Sequence, residues 1–159
     1  MIDWSKQHCG VHHGTYAKTL ELMPDLKEVL ETFPDDPNNF MWDVKVHMLF
    51  PGQYPCIPNW HCDFVPRVNG IQQYNLVDTT KPMYLWISGA PLTQFKHGFA
   101  LPQQWIRFTQ LDEHRGMPAS DFMWRGFIRA VHVAICKPST ENNLRRHCQV
   151  YLNADTYQW

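Results

Sequence analysis

From Phe40 onward the chain is a succession of short runs rich in aromatic and β-branched residues, each closed by Gly, Pro, Asn or Asp. Runs this short and this regularly broken read as β-strands joined by turns. Strands are expected over Trp42 to Phe50, Trp60 to Phe64, Met83 to Ser88, Trp105 to Thr109, Trp124 to Cys136 and Leu144 to Leu152. Val68-Asn69-Gly70 reads as a turn, and Lys137 to Asn143 as a polar loop. Before the strands, Leu26, Val29, Leu30 and Phe33 fall at i, i+3, i+4 and i+7 and predict a helix over Pro24 to Phe33. Pro24 suits its first turn, and Asp25 the positive end of its dipole. One early helix and six or more short strands imply a mainly β barrel or sandwich.

At 159 residues the chain is expected to form a single domain, 1–159, with a β core over 42–152. Residues 1–14 carry His8, Cys9, His12 and His13 but no periodic apolar pattern, so a mobile polar leader is expected there rather than a metal clip. A net charge near zero argues against a broad nucleic-acid or membrane surface, and Arg145-Arg146-His147 is too small a cluster to alter that. Five cysteines, an odd number without a Cys-x-x-Cys pair, argue against a disulfide framework or a thiolate zinc knuckle and fit a reducing, cytoplasmic setting. The N-terminus has no apolar run of the signal-peptide kind, and no stretch approaches transmembrane length.

The chemistry centres on Pro58-Asn59-Trp60-His61-Cys62-Asp63-Phe64. In an extended strand, residues two apart point to the same face. His61 and Asp63 then project together and offer one neutral nitrogen beside one anionic oxygen. These are two legs of a 2-His-1-carboxylate facial triad, which holds Fe(II) and leaves positions open. Taken alone, a His-x-Asp pair is common by chance. Trp60 and Phe64 flank the pair, as cavity walls or as core.

A third leg must come from the other histidines, and several compete. His47 lies upstream, His97 in a loop, His132 within an apolar strand, and His147 near the C-terminus. His114 stands apart in its setting. It follows the strand Trp105 to Thr109, and Arg125 lies eleven residues further on, on the next strand. A hairpin of that length brings the head of Arg125 back towards a metal held by His114, where a guanidinium fork can take a carboxylate bidentately. Arg129 lies on the same strand face. Four residues of strand span about 13 Å, so the two heads cannot both serve one carboxylate.

His61-x-Asp63, then His114, then Arg125 resembles the pattern of the Fe(II)/2-oxoglutarate-dependent dioxygenases, in the phytanoyl-CoA and prolyl hydroxylase style. His114-Arg115-Gly116-Met117-Pro118-Ala119 resembles the segment around the distal histidine of such proteins. The resemblance covers Trp42 to Cys136. It implies a double-stranded β-helix, a jelly-roll or cupin-like barrel, with flanking N-terminal helices. It implies iron on His61, Asp63 and His114, and 2-oxoglutarate as co-substrate. The far carboxylate would meet Arg125, or Arg129 in its place, with a hydroxyl from Tyr54 or Tyr84. The expected activity is hydroxylation of a substrate the sequence does not reveal, with succinate and CO2 as co-products. The chain is short for such a protein, so loops covering the substrate must be few. Two other classes fit the same residues: a non-oxidative cupin-type enzyme using Zn or Mn, and a binding protein without turnover.

Overall fold

The computed structural model describes residues 1–139, 143–146 and 148–152. In chain order the elements are β1 (Gly10–Gly14), α1 (Tyr16–Leu22), a 3-10 turn Pro24–Leu26 running into α2 (Lys27–Leu30), and β2 (Phe40–Leu49). There follow β3 (Arg67–Val68), β4 (Ile71–Gln72), β5 (Met83–Ile87), β6 (Thr93–Phe95) and β7 (Gly98–Phe99). The last are β8 (Ile106–Phe108), β9 (His114–Gly116), β10 (Met123–His132) and β11 (Asn143–Arg145). The protein is mainly β and antiparallel. No helix among the described residues is long and apolar enough to cross a membrane.

Six strands form the main sheet, in the order β11-β1-β2-β10-β5-β8, and β7-β6-β9 form a smaller one. The smaller sheet is extended by a single bridge between His61 and His114. β3 and β4 make a separate hairpin. Its turn residues Asn69 and Gly70 have φ of 50° and 80°, the left-handed pair a tight two-residue hairpin requires.

Two layers cover the main sheet. On its outer face Trp42, Val44, Val46, Ile128 and Ala130 pack against Trp4, Met23, Leu26 and Leu30. Phe33 packs edge-on against Phe40, Trp42, Tyr84 and Trp105 at 4.8 to 5.0 Å between ring centroids, the geometry aromatic quadrupoles favour. On the inner face Met41, Met83, Leu85, Ile87 and Val131 meet Phe95, Ala100 and Phe108. β2 and β10 are therefore covered on both sides at the centre of the sheet.

The helix expected over Pro24 to Phe33 is shorter and split, with a 3-10 turn before a single α turn. A segment of this length gains little from propagation, so the packing of Leu26 and Leu30 decides its shape. Residues 1–14, expected to be a leader without a pattern of their own, contribute to the fold. Trp4 is buried in the outer core, and β1 pairs with both β2 and β11. α1, which the sequence reading passed over, starts at Thr15, whose side chain accepts from the Lys18 amide. Trp60 to Phe64 is not a strand: it holds one bridge at His61 and then turns, with Phe64 at φ 58°. β10 ends at His132, short of Cys136, and the last expected strand shrinks to β11 and a bridge between Tyr54 and Tyr151.

Gly126 shows how tightly the outer layer is seated. A Cβ there would lie 2.3 Å from the Trp4 ring, so Gly126→Ala forces the indole to move. Overpacking of this kind costs about 1–3 kcal/mol. The expected result is a lower urea midpoint at unchanged slope, and a smaller penalty when Gly126→Ala is made in a Trp4→Ala background.

Candidate metal centre

His61 and His114 face each other across an antiparallel backbone pair, with N–H to O distances of 3.0 and 2.9 Å in the two directions. Their ring centroids are 4.5 Å apart. Nδ1 of His61 lies 2.8 Å from the Asn59 carbonyl oxygen, and Nδ1 of His114 lies 3.0 Å from that of Asp112. A carbonyl only accepts, so both Nδ1 atoms carry the proton and both Nε2 atoms present a lone pair. This is the tautomer a metal requires, held by the kind of outer hydrogen bond that orients ligating histidines.

Both lone pairs point towards Asp63. Its Oδ1 is 3.6 Å from His61 Nε2 and its Oδ2 is 3.4 Å from His114 Nε2. Two ligands at right angles on bonds of about 2.1 Å sit about 3 Å apart, so a small closure suffices to seat one ion. Among the described residues, this is the one group of three or more His, Cys, Asp or Glu side chains placed to hold a metal. Burial opposes ionisation of Asp63, but Arg129, His114 and His61 outweigh it and hold the carboxyl well below its usual range. Burial likewise opposes protonation of His114, and the Asp63 carboxylate more than compensates and pushes its pKa up. His61 is pushed down by burial and by His114.

Arg129 fixes the carboxylate. Its guanidinium donates to Asp63 Oδ2 at 2.6 Å and, through its other terminal nitrogen, to Asp43. Asp43 in turn lies 3.3 Å from His13 Nδ1. The left-handed turn at Phe64 lays that half-exposed ring 5.0 Å from the Arg129 guanidinium. A bulky residue with positive φ is strained, and such strain gathers at functional sites.

The triad opens into a cavity of about 470 Å3, whose lining includes His13, Asp43, Lys45, Thr93, Phe127 and Arg129. Arg125, 1 % exposed, is not itself among the lining residues; it donates to the hydroxyl of one that is, Thr93, at 3.1 Å and leaves Nε unpartnered. Among the described residues no carboxylate pairs with it. Burial draws its pKa down to about 10, so it is charged at neutral pH. His47 stands directly across from it on β2, buried, with neither ring nitrogen partnered. Burial, Lys45 and Arg125 together push the pKa of His47 down to about 2.

The expected ligands thus converge: His61, Asp63 and His114 meet, and Arg125 and Arg129 share the inner face of β10. The two arginines separate in role, because Arg129 is committed to Asp63 and Asp43 while Arg125 has no anion. Tyr84 does not reach the site. It lies on the outer face, with its hydroxyl 3.5 Å from Asp35. Tyr54 is not among the residues lining the cavity, whereas Tyr151, its bridge partner, is. His132 caps the end of β10, accepting from the Ala134 amide and packing on Phe40. His97 stacks on Phe95, and His147 lies outside the described residues. Trp60 is no cavity wall: Lys96 and Arg115 lie 4.1 and 4.5 Å from its ring. His12 and His13 point to opposite faces of β1 and form no clip. The sequence reading missed Asp43, Lys45 and Thr93. The signal for the first two was polar residues alternating with Trp42, Val44 and Val46 in a strand that is central.

No family model, no curated protein and no solved structure matches the chain.

His47 gives the site a pH signature. Its pKa is lowered in the folded state, so below about pH 6.5 the unfolded chain binds the proton that the folded one refuses. Its contribution to stability is present above that pH and is lost as pH falls towards the folded value. The slope approaches about 1.4 kcal/mol per pH unit for one proton. Urea unfolding between pH 7 and 4 should show this fall, and His47→Phe should flatten it.

Proposed function

We propose that the chain is an Fe(II)- and 2-oxoglutarate-dependent oxygenase on a double-stranded β-helix. The observation that carries the reading is the pairing of two features, one carried by the smaller sheet and the turn beside it and the other by β10 of the main sheet. One is a triad whose histidines are fixed in the metal-binding tautomer. The other is a buried arginine, eleven residues beyond the distal histidine, that lacks an anion. A buried guanidinium without a counter-charge is costly, and a carboxylate arriving in the cavity relieves that cost.

The strand pairing supports the fold. A jelly roll is a long hairpin rolled up, so its first strand pairs with its last, its second with its seventh, and so on inwards. Counted as β2, the His61 bridge, β5, β6, β7, β8, β9 and β10, the chain contains each such pair: β2 with β10, His61 with His114, β5 with β8, and β6 with β7.

The residues fit the implied groups. His61, Asp63 and His114 would hold the iron, and Arg125 with the Thr93 hydroxyl would take the far carboxylate of 2-oxoglutarate. When bound, the pair supplies oxidative decarboxylation to succinate and CO2 coupled to hydroxylation of the substrate. The protein orients the two imidazoles through Asn59 and Asp112, keeps Asp63 ionised through Arg129, and provides apolar walls in Leu85, Phe95, Phe108 and Phe127. Five free thiols accord with the reducing, cytoplasmic setting in which ferrous iron persists.

Anaerobic titration of the Fe(II) protein with 2-oxoglutarate should develop a metal-to-ligand charge-transfer band. Arg125→Ala should weaken that titration about a hundred-fold or more, the effect of stripping one partner from a buried charge pair, while metal stoichiometry is kept. His114→Ala should abolish stoichiometric metal, and His132→Ala should not. A protein that binds Zn or Mn at the triad but gives no band and releases no succinate is a cupin-type metalloenzyme. One that binds no metal is a binding protein on the same fold.

A further inference from the structure

We propose that Lys45 is the second cation of the anion site whose first is Arg125, so that one carboxylate is held between a half-buried ammonium and a buried guanidinium on neighbouring strands. The proposal deepens the co-substrate reading and rests on it for the identity of the ligand, but the site itself is argued from hydrogen-bond and charge accounting.

Lys45, His47 and Arg125 project from the same inner face. His47 is the direct cross-strand partner of Arg125, and Lys45 is one same-face step along β2, opposite Phe127. Cross-strand side chains of this kind stand about 5 Å apart at Cβ, and diagonal ones about 7–8 Å apart. Lys45 lines the cavity beside Cys56 and Thr93. Its ammonium donates to the carbonyl oxygens of Pro55 and Gln149 at 2.5 and 3.1 Å, which uses two of its three protons. Among the described residues no carboxylate pairs with it. The acid nearest in sequence, Asp43, gives Oδ2 to Arg129, and its Oδ1 lies 3.3 Å from His13 Nδ1 without a hydrogen bond.

The donors left over include one from Lys45, the Nε–H of Arg125 and the single N–H of neutral His47. The carboxylate of this face, Asp43, is ion-paired with Arg129, so neither Lys45 nor Arg125 has a carboxylate of its own. Buried charges are normally paired, and a pair of cations on facing strands repel each other unless an anion lies between them. Burial, the largest influence on Lys45, already draws its pKa down. An anion bound there would draw it back up, so binding at alkaline pH must take up protons.

The test uses glutarate, a five-carbon dicarboxylate without the keto group, so that metal chelation plays no part. Isothermal titration of the metal-free protein should show glutarate binding that Lys45→Met weakens at least ten-fold. The Fe(II) stoichiometry of the same variant should be unchanged. Run near pH 9 in buffers of different ionisation heat, the wild-type titration should show proton uptake that Lys45→Met diminishes. A lysine that merely ties Pro55 and Gln149 together would not produce that difference. In a second variant, His47→Glu places a carboxylate opposite Arg125. It should supply the anion internally and abolish glutarate binding without loss of thermal stability at neutral pH.

Equal glutarate affinity and equal proton uptake in wild type and Lys45→Met would overturn the proposal. Arg125→Ala could still lose 2-oxoglutarate, which leaves the oxygenase reading standing. Lysine-dependent glutarate binding in a protein that gives no charge-transfer band with Fe(II) and 2-oxoglutarate would uphold the anion site and remove the oxygenase reading. Absence of glutarate binding in the wild type would overturn the two-cation site outright.

Discussion

The double hydrogen bond of Arg129 to Asp43 and Asp63 joins the parts of this protein that matter to one another. Asp43 sits on β2, Arg129 on β10, and Asp63 in a turn that belongs to neither sheet. Without the guanidinium, two carboxylates would face each other across a poorly solvated gap, and one would have to take a proton. With it, the turn carrying Asp63 is pinned to the centre of the main sheet and the carboxylate stays ionised towards the two histidines. A bond of this kind is weak evidence of stability, because desolvation consumes much of its Coulombic gain. Its worth here is positional: it decides where Asp63 points.

The inner face of β2 explains why half of the site was legible and half was not. The strand reads Phe-Met-Trp-Asp-Val-Lys-Val-His-Met-Leu from Phe40, and nearly all of it is buried. In a strand with one wet face, Asp43, Lys45 and His47 would be the solvent side. That default assigns them no role. It fails because the apolar residues between them, Trp42, Val44 and Val46, are covered by the N-terminal helices, while the polar ones are roofed by the smaller sheet. Sequence alone does not say that a strand has two covered faces. The long, strongly periodic segments β2, β5 and β10 were readable, and so was the grouping of His61, Asp63 and His114.

Other features depended on contacts made far along the chain. β1 has no pattern of its own and becomes a strand because β2 and β11 offer it partners. Phe64 reads as a strand residue, yet its backbone is left-handed, and local preference has been overridden where Asp63 must double back beneath Arg129. The tyrosines illustrate the reverse error. Tyr84 alternates correctly for a strand, but alternation puts it on the face opposite the cavity, and only the pairing of β5 with β10 says which face that is.

His61 and His114 are joined by one bridge pair and belong to stretches far apart in the chain. An ion shared between them would therefore act as a cross-link as well as a reagent. By closing a long loop it would lower the entropy of every state in which the His61 segment has come away from β9. Occupancy would then set how often that edge of the smaller sheet opens. The affinity for metal and the mechanical rigidity of that edge would be one quantity, read by two different instruments.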